Sequence, residues 1–161
     1  MKRRSNLWFS LSLSAAIAGA ALFSPGSDAA ETTKMPIGKI GTNNFVKLEV
    51  AQTEKEIERG LMYRTSLPED QGMVFIFSPP RPVNFWMAHC FISLDMLFVK
   101  NGKIIKIFEN VPPCHAQNER DCPTYPAGMG IEVSEVVELA AGYSKRHNVK
   151  VGDPVTFDMP K

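Results

Sequence analysis

The sequence predicts a single, mainly β domain: an antiparallel β-sandwich or barrel with one or two short helices. Six or seven short apolar stretches have strand length, and the links between them are of hairpin type rather than long helical crossovers, which argues against a parallel α/β sheet. The chain has 161 residues, of which 44% are hydrophobic and 22% charged, a composition typical of an ordinary globular protein.

The first 29 residues have the pattern of a secretory signal peptide. Lys2-Arg3-Arg4 precedes an apolar run, and small residues after that run offer a cleavage site behind Ala29 or Ala30. An uncleaved membrane anchor is the alternative, but the serines within the run and the small residues after it favour cleavage. We therefore expect an exported protein, periplasmic or extracellular, with no membrane span after cleavage.

Residues 30–44 are polar, lack a clear period and are expected to form a flexible arm, which leaves residues 45–161 as the folded domain.

Cleavage removes three basic residues and Asp28, a net charge of +2, so the total changes from +1 to −1. Contacts to phosphates need clustered Lys and Arg, and the chain that remains after cleavage has no such cluster. It therefore predicts no nucleic-acid partner.

The first half of the domain combines strands with one short helix. Residues 45–51 alternate apolar with charged side chains, which predicts a half-buried strand. Thr53 begins a capping-box sequence, T-x-x-E, so a helix is expected over residues 54–60. Residues 73–77 are a continuous apolar run of strand length. The proline-rich residues 78–82 are expected to be a surface link, because proline cannot donate to a central ladder.

A β-hairpin lies at the centre of the chain. Asn101-Gly102 is the strongest short hairpin signal, because both residues tolerate the positive φ values of a type I′ turn. The two-residue loop predicts the pairs Lys100 with Lys103, Phe98 with Ile105, Leu97 with Lys106, and Asp95 with Phe108. Asp95 is then a lone carboxylate on an apolar face, with Lys106 as a diagonal counter-charge.

The elements around the hairpin are shorter. Residues 83–89 are a second candidate strand, and the chain is expected to bend at residues 90–93, because one strand through both segments would be far too long. Residues 133–139 and 155–157 are predicted strands. A turn or short helix is expected at residues 141–147.

The three cysteines have different expected roles. Cys114 and Cys122 are the natural pair in an oxidising compartment, where a disulfide would order a short polar loop with little core of its own. Cys90 is expected to be a buried small hydrophobe.

Metal binding is the alternative for the same region. The low-ranked candidates are His89, Cys90 and His115, which carry ligands suited to zinc or copper. No pair has the usual Cys spacing, and adjacent His89 and Cys90 would point to opposite faces of a strand. We therefore expect no metal and no other cofactor.

A small-ligand pocket is the favoured kind of site. Tyr63 and Trp86 could supply flat apolar walls, and charged side chains could orient a polar ligand. The candidate residues are Arg59, Tyr63, Arg64, Trp86, His89 and Asp95. Three of them also have a structural alternative: Trp86 in the core, Arg64 paired with Asp70 across a turn, and Asp95 held by Lys106 or by backbone N–H groups.

An envelope hydrolase is the alternative function. A Cys90 nucleophile would need a histidine oriented by Asp95, and strand alternation separates Cys90 from His89, which leaves His115 or His147 as the base. A metal-assisted version would use Asp95 with His89 or His115. No phosphate-binding loop, HExxH sequence or nucleophile elbow is present. We therefore expect a binding module, with a small molecule or an envelope protein as its partner.

Several sequence blocks resemble the domain of unknown function 192 family. In order they are RGLMYRTSLPEDQGMVFIF, FWM, LDMLFVKNGKI, VVELAAG and VGDPV, and the match runs from about Val50 to Phe157. The resemblance implies a compact, mainly β domain, often exported, with no established activity. The sequence departs from the family pattern at Ala88-His89-Cys90, where a Lys-Asn-Thr type tripeptide is common, and at Ser93, where proline is frequent. The loop with Cys114 and Cys122 looks like an elaboration.

Overall fold

The computed structural model describes residues 35–159, which form a curled seven-stranded half-barrel sheet, a small two-stranded sheet and two short α-helices. The mainly β fold predicted from the sequence is confirmed. The predicted signal peptide, residues 1–29, lies outside the described residues, and so do residues 30–34 of the predicted arm. Within residues 35–159 there is no helix with the length and apolar character needed to cross a membrane.

The main sheet has the strand order β6-β5-β8-β3-β2-β1-β9, and β4 pairs separately with β7. Neighbouring strands are antiparallel except β2 and β3, which are parallel and are connected through α1. The elements are β1 Ile37–Ile40, β2 Asn44–Ala51, α1 Glu54–Arg59, β3 Gln71–Pro82, β4 Asn84–Trp86, β5 Leu94–Lys100, β6 Lys103–Val111, a 3₁₀ helix Glu119–Asp121, β7 Thr124–Pro126, β8 Glu132–Ala140, α2 Tyr143–Arg146 and β9 Val155–Asp158.

The folded domain begins earlier than predicted. Ile37–Ile40, assigned to the flexible arm, form β1 and pair with both β2 and β9. Ile40 is fully buried in the core. The run is only four residues long and contains Gly38, so its strand character depends on pairing with distant parts of the chain rather than on a visible period.

Residues 78–82 are exposed as predicted, but their assignment as a link is wrong, because β3 continues through to Pro82. Its pairing with β8 is interrupted between Ile76 and Arg81 and then resumes, with Arg81 opposite Val133. The first two prolines of the stretch fall in the interruption, where no ladder N–H is required of them.

The helix and the central hairpin follow their local signals. Thr53 and Glu56 form the predicted capping box at the start of α1. Asn101 and Gly102 both have positive φ, 52° and 68°, and Lys100 lies opposite Lys103 as predicted.

The predicted register is wrong beyond Val99, because an irregularity shifts it by one residue: Phe98 lies opposite Lys106, Leu97 opposite Ile107 and Met96 opposite Phe108. Lys106 is therefore not the partner of Asp95. Its Nζ donates to the carbonyl of Pro126 at 2.8 Å and lies 4.4 Å from the centre of the Phe108 ring.

The central strands β3, β5 and β8 are covered on both faces. One face, which we call the first face, carries a core that includes Phe75, Met96, Phe98 and Val136, covered by β4, β7 and nearby loops. The opposite, second face carries a core that includes Val74, Leu97, Val99, Val137 and Leu139. Burial on both faces explains why these strands are almost continuously apolar in the sequence.

Asp95 lies on the second face and is fully buried. Its Oδ1 accepts the backbone N–H groups of Asn110 and Gly142, and its Oδ2 accepts that of Ser144, each at 2.8 Å. Gly142, with φ 77°, is the N-cap of α2. The carboxylate therefore ties the end of β6 and the start of α2 to the middle of the sheet, which is the backbone alternative considered for it.

We expect Asp95→Asn to lower the free energy of unfolding by about 2–4 kcal/mol, because an amide nitrogen cannot accept and one buried N–H loses its partner. Urea unfolding of the variant measures the loss. Asp70→Asn is the matched control, since Asp70 forms an exposed ion pair with Lys47 at 3.1 Å and such pairs contribute at most about 1 kcal/mol. Equal losses for the two variants would contradict the structural role of Asp95.

Candidate functional site

A narrow cleft reaches the first face of the sheet at Glu138. Its volume is about 30 Å³, enough for one or two water molecules. We call it the Glu138 cleft. It lies between the loop that follows α1 and the segment around β4, and its walls include Arg59, Met62, Phe75, Trp86 and Cys90.

A wider groove adjoins the cleft and shares Arg59, Gly60 and Met62 with it. Its volume is about 480 Å³, within the range of small-molecule sites. We call it the outer groove; its other walls include Glu49, Val50, Tyr63, Arg64 and Met73. Met73 lies directly opposite Glu138 on the neighbouring strand, so the two spaces meet above adjacent positions of one sheet.

The loop after α1 is shaped by Gly60. This residue ends the helix with φ 43°, and its N–H donates to the carbonyl of Glu56. A Cβ at this position would lie 3.1 Å from Cζ of Phe75, so any larger residue would press on the floor of the site. The turn then buries Leu61 and brings Arg59 and Met62 to the mouth of the cleft.

Tyr63 and His89 connect the two walls. The Tyr63 N–H donates to the carbonyl of His89 at 2.8 Å, and their rings stack with centroids 5.2 Å apart. Both residues have positive φ, 65° and 57°, an uncommon conformation for such side chains that requires support from its surroundings. His89 Nε2 lies 2.7 Å from Oε1 of Glu119 in the disulfide loop.

The disulfide between Cys114 and Cys122 is present as predicted, with an S–S distance of 2.12 Å. Its loop supports the β4 side of the cleft, because the carbonyl of Met87 accepts the N–H groups of both Cys90 and Cys114. Ala88 forms a β-bridge with Cys114. The disulfide loop therefore contacts Ala88-His89-Cys90, the segment that departs from the family pattern.

Glu138 is the unusual group of the site. It is 4% exposed, and within residues 35–159 no hydrogen bond or ion pair engages its carboxyl group. Burial raises the pKa of Glu138 from its ordinary value of 4.5 to about 8, because the charged form loses its hydration. At neutral pH the base of the cleft is therefore mainly a neutral carboxylic acid.

Cys90 is the free cysteine and is buried beside Glu138. Burial, with a smaller contribution from the negative charge of Glu138 when it is ionised, raises the pKa of the Cys90 thiol to about 12. Since the thiolate is the reactive form, this cysteine is held in its unreactive state.

The structure brings part of the predicted ligand set together. Arg59 and Trp86 line the Glu138 cleft, while Tyr63 and Arg64 line the outer groove. Trp86 is half-buried at the cleft wall rather than enclosed in the core.

The other predicted ligand residues lie elsewhere. Asp95 is on the second face, and His89 lines a separate groove with Glu119 of the disulfide loop. Arg64 does not pair with Asp70: its two terminal nitrogens donate to Glu49 at 2.6 Å each.

The metal candidates do not form a centre. Across the described part of the chain no three His, Cys, Asp or Glu side chains are grouped so that they could hold a metal ion. His89 contacts Glu119, Cys90 is buried, and His115 is exposed on the disulfide loop.

Sequence reasoning missed Glu138. The sequence does contain a signal for it. Glu138 follows Val136 and Val137 and precedes Leu139, so it interrupts an apolar strand in the same way that Asp95 interrupts the apolar strand β5. A carboxylate inside such a run is buried whichever face it occupies.

The fold and the cleft define a small, mainly β protein with a buried acid at the base of a surface groove. Residues 37–157 match the model of the DUF192 family, described as "Uncharacterized ACR". The chain belongs to this family. A search of curated proteins gives no match.

Two crystal structures are similar to this chain. A candidate transcription regulator from Sinorhizobium meliloti is 32% identical, with 78% of this chain and 95% of that chain covered and a TM-score of 0.68. A protein of unknown function from Novosphingobium aromaticivorans is 30% identical, with 74% of this chain and 83% of that chain covered and a TM-score of 0.66.

The free energy of unfolding of Glu138→Gln should increase relative to that of the wild type as the pH rises. The folded wild type keeps a proton that the unfolded chain releases above its ordinary pKa, so the wild-type free energy of unfolding falls between pH 4.5 and about 8. A shift of this size corresponds to roughly 4–5 kcal/mol. Urea unfolding of both proteins across this range measures the difference; a difference that does not change with pH would show that Glu138 titrates normally.

Cys90 should react slowly in the folded protein. A pKa of about 12 instead of 9.0 lowers the thiolate fraction at pH 8 by about 10³. We expect alkylation by iodoacetamide to be at least ~100-fold slower than in urea-unfolded protein, measured by intact mass. Similar rates in the two states would mean that the thiol is accessible and ionised.

Proposed function

We propose that this protein is an exported small-ligand-binding module whose ligand occupies the outer groove and reaches into the Glu138 cleft. The observation that carries the proposal is the largely buried Glu138 side chain in the lining of the cleft, for which residues 35–159 supply no hydrogen-bond donor or counter-charge. A polar group in such a position destabilises the fold, and sites of this kind are concentrated at functional clefts. A ligand would supply the missing partner.

The dimensions of the groove favour a small molecule over a protein partner. Its volume of about 480 Å³ suits a ligand of metabolite size, and its walls combine apolar side chains such as Val50 and Met73 with the charged side chains of Arg59 and Arg64. This mixture of apolar walls and a few polar groups is typical of specific ligand sites.

Export is supported by the signal-peptide pattern of residues 1–29. The Cys114–Cys122 disulfide is a type of bond that persists in the periplasm and outside the cell. Transcription regulation, suggested for the Sinorhizobium protein, is not extended to this chain, because its sequence lacks the clustered basic residues that bind phosphates.

Binding is favoured over hydrolysis by the placement of the candidate catalytic groups. Cys90 borders the first face as a neutral thiol, whereas Asp95 is on the second face with its oxygens occupied by three N–H groups. His147 lies 2.9 Å from Glu69 and stacks on Tyr143. These groups therefore do not form a nucleophile-base pair oriented by Asp95.

A thermal-shift screen of the full-length protein against small polar metabolites tests the proposal. A ligand at about 100 times its Kd adds about 2.7 kcal/mol of stability, so Tm should rise by several degrees. We expect Trp86→Ala and Glu138→Gln to lose at least half of that shift. Glu135→Gln, on the same strand but the opposite face, should keep it. Failure of every compound to raise Tm, or shifts unaffected by both site variants, would contradict the proposal.

A further inference from the structure

We infer that the ligand is a free α-amino acid, with its ammonium group at Glu138, its carboxylate at Arg59 and its side chain in the outer groove. This inference rests on the function proposed above and adds the chemical class of the ligand. It follows from the charges that line the Glu138 cleft and the outer groove, from the size of the cleft, and from the ion pairs and hydrogen bonds that neighbouring charged side chains already form.

The Glu138 cleft is suited to a cation. Besides Glu138 its lining includes a second acidic residue, the exposed Glu58 of α1. The aromatic rings of Phe75, Phe85 and Trp86 also line the cleft, and ring faces attract cations. A cation at the inner end of the ligand would pair with the ionised form of Glu138, for which residues 35–159 supply no counter-charge, so we expect that end to be positive.

The small volume selects the kind of cation. The cleft has a volume of about 30 Å³, enough for one or two water molecules. A primary ammonium group has about the size of a water molecule, whereas a guanidinium or quaternary ammonium group is several times larger. A primary ammonium is therefore the cation that suits this space best.

Arg59 supplies a positive charge at the junction of the two spaces. Arg59 is exposed, lines both the cleft and the groove, and takes part in no ion pair among the residues that the structure describes. Arg64, the other guanidinium of the groove, is neutralised by Glu49 through two bonds of 2.6 Å. A carboxylate next to the ammonium group is the natural partner for Arg59, because arginine binds carboxylates in a forked geometry.

The outer groove has space for a side chain. Val50, Met62, Met73 and Tyr63 provide apolar and aromatic wall. Glu56, which also lines the groove, is already bonded to the backbone N–H groups of Gln52 and Thr53. An apolar amino-acid side chain therefore meets no unpaired carboxylate there.

Protonation provides a signature that separates this ligand from a simple carboxylate. The titratable groups around Glu138 are Glu58 and Arg59 from the α1 side and Cys90 from the β4 side, whereas its strand neighbours are Met73 and Met96. Binding an ammonium group requires the ionised carboxylate, so below pH 8 the complex should release a proton and tighten as pH rises. A carboxylate ligand would instead accept a hydrogen bond from the neutral acid and weaken with rising pH.

Calorimetric titration of the full-length protein tests the inference with a matched series. L-Leucine carries both charged groups, 3-methylbutylamine lacks the carboxylate and 4-methylpentanoate lacks the amine; glycine, L-alanine and L-phenylalanine extend the series. We expect at least one of the amino acids to bind, and the two analogues to bind at least ~10-fold more weakly than leucine. Titrations at pH 6.5 in two buffers of different ionisation enthalpy should give close to one proton released.

The variants assign the two ends of the ligand. Glu138→Gln and Arg59→Gln should each weaken amino-acid binding at least ~10-fold, and Glu138→Gln should also abolish proton release. Arg120→Gln is the matched control for Arg59, since Arg120 is an exposed arginine on the disulfide loop, and it should leave binding unchanged.

Three outcomes would overturn the inference, and they separate it from the proposed function. Binding of 4-methylpentanoate as tight as that of leucine without proton release would identify a carboxylate site. Absence of amino-acid binding, combined with a Glu138-dependent thermal shift by another compound, would reject the amino acid and leave the binding module in place. Absence of binding by every compound in both experiments would reject both.

Discussion

Burying a carboxylate in a β-sheet costs several kcal/mol unless other groups replace its water, and this protein buries two, on opposite faces of the adjacent strands β5 and β8. Asp95 regains its hydrogen bonds from three backbone N–H groups and organises the end of β6 and the start of α2. Glu138 has no such compensation among residues 35–159 and holds a proton instead. Asp95 therefore stabilises the fold, whereas the burial of Glu138 lowers the stability of the protein.

Several contacts hold the two walls of the cleft around Glu138 in place. One wall of the cleft is a tight turn that depends on Gly60, and the other is held by Met87, Cys90 and the disulfide loop. The Tyr63–His89 contact connects the walls through two residues in an uncommon backbone conformation. These contacts hold both walls of the cleft above the apolar core.

Much of the fold could be predicted because its signals are local. The capping box at Thr53, the Asn101-Gly102 turn, the apolar strands and the short cysteine loop each depend on a few neighbouring residues. The irregularity after Val99 and the continuation of β3 through its prolines could not be predicted, since both depend on which distant strand lies alongside. The same is true of β1, which exists through its pairing with β2 and β9.

The site was only partly predictable for a related reason. Arg59 and Trp86 were identified by residue type, but the partners of Asp95 lie up to 49 residues away along the chain. Whether a buried acid is bonded or unpaired depends on which loops cover its face of the sheet. Asp95 and Glu138 have similar sequence surroundings, and the covering loops give them opposite roles.

The most direct measurement is the titration of the Glu138 carboxyl carbon by ¹³C NMR in the folded, ligand-free protein, assigned by comparison with Glu138→Gln. If the acid is buried without a partner, its resonance should titrate with a midpoint near 8, well above the ordinary value of 4.5. A midpoint near 4.5 would mean that water or an undetected donor stabilises the charged form. The cleft would then lack the unpaired acid on which the proposed ligand site depends.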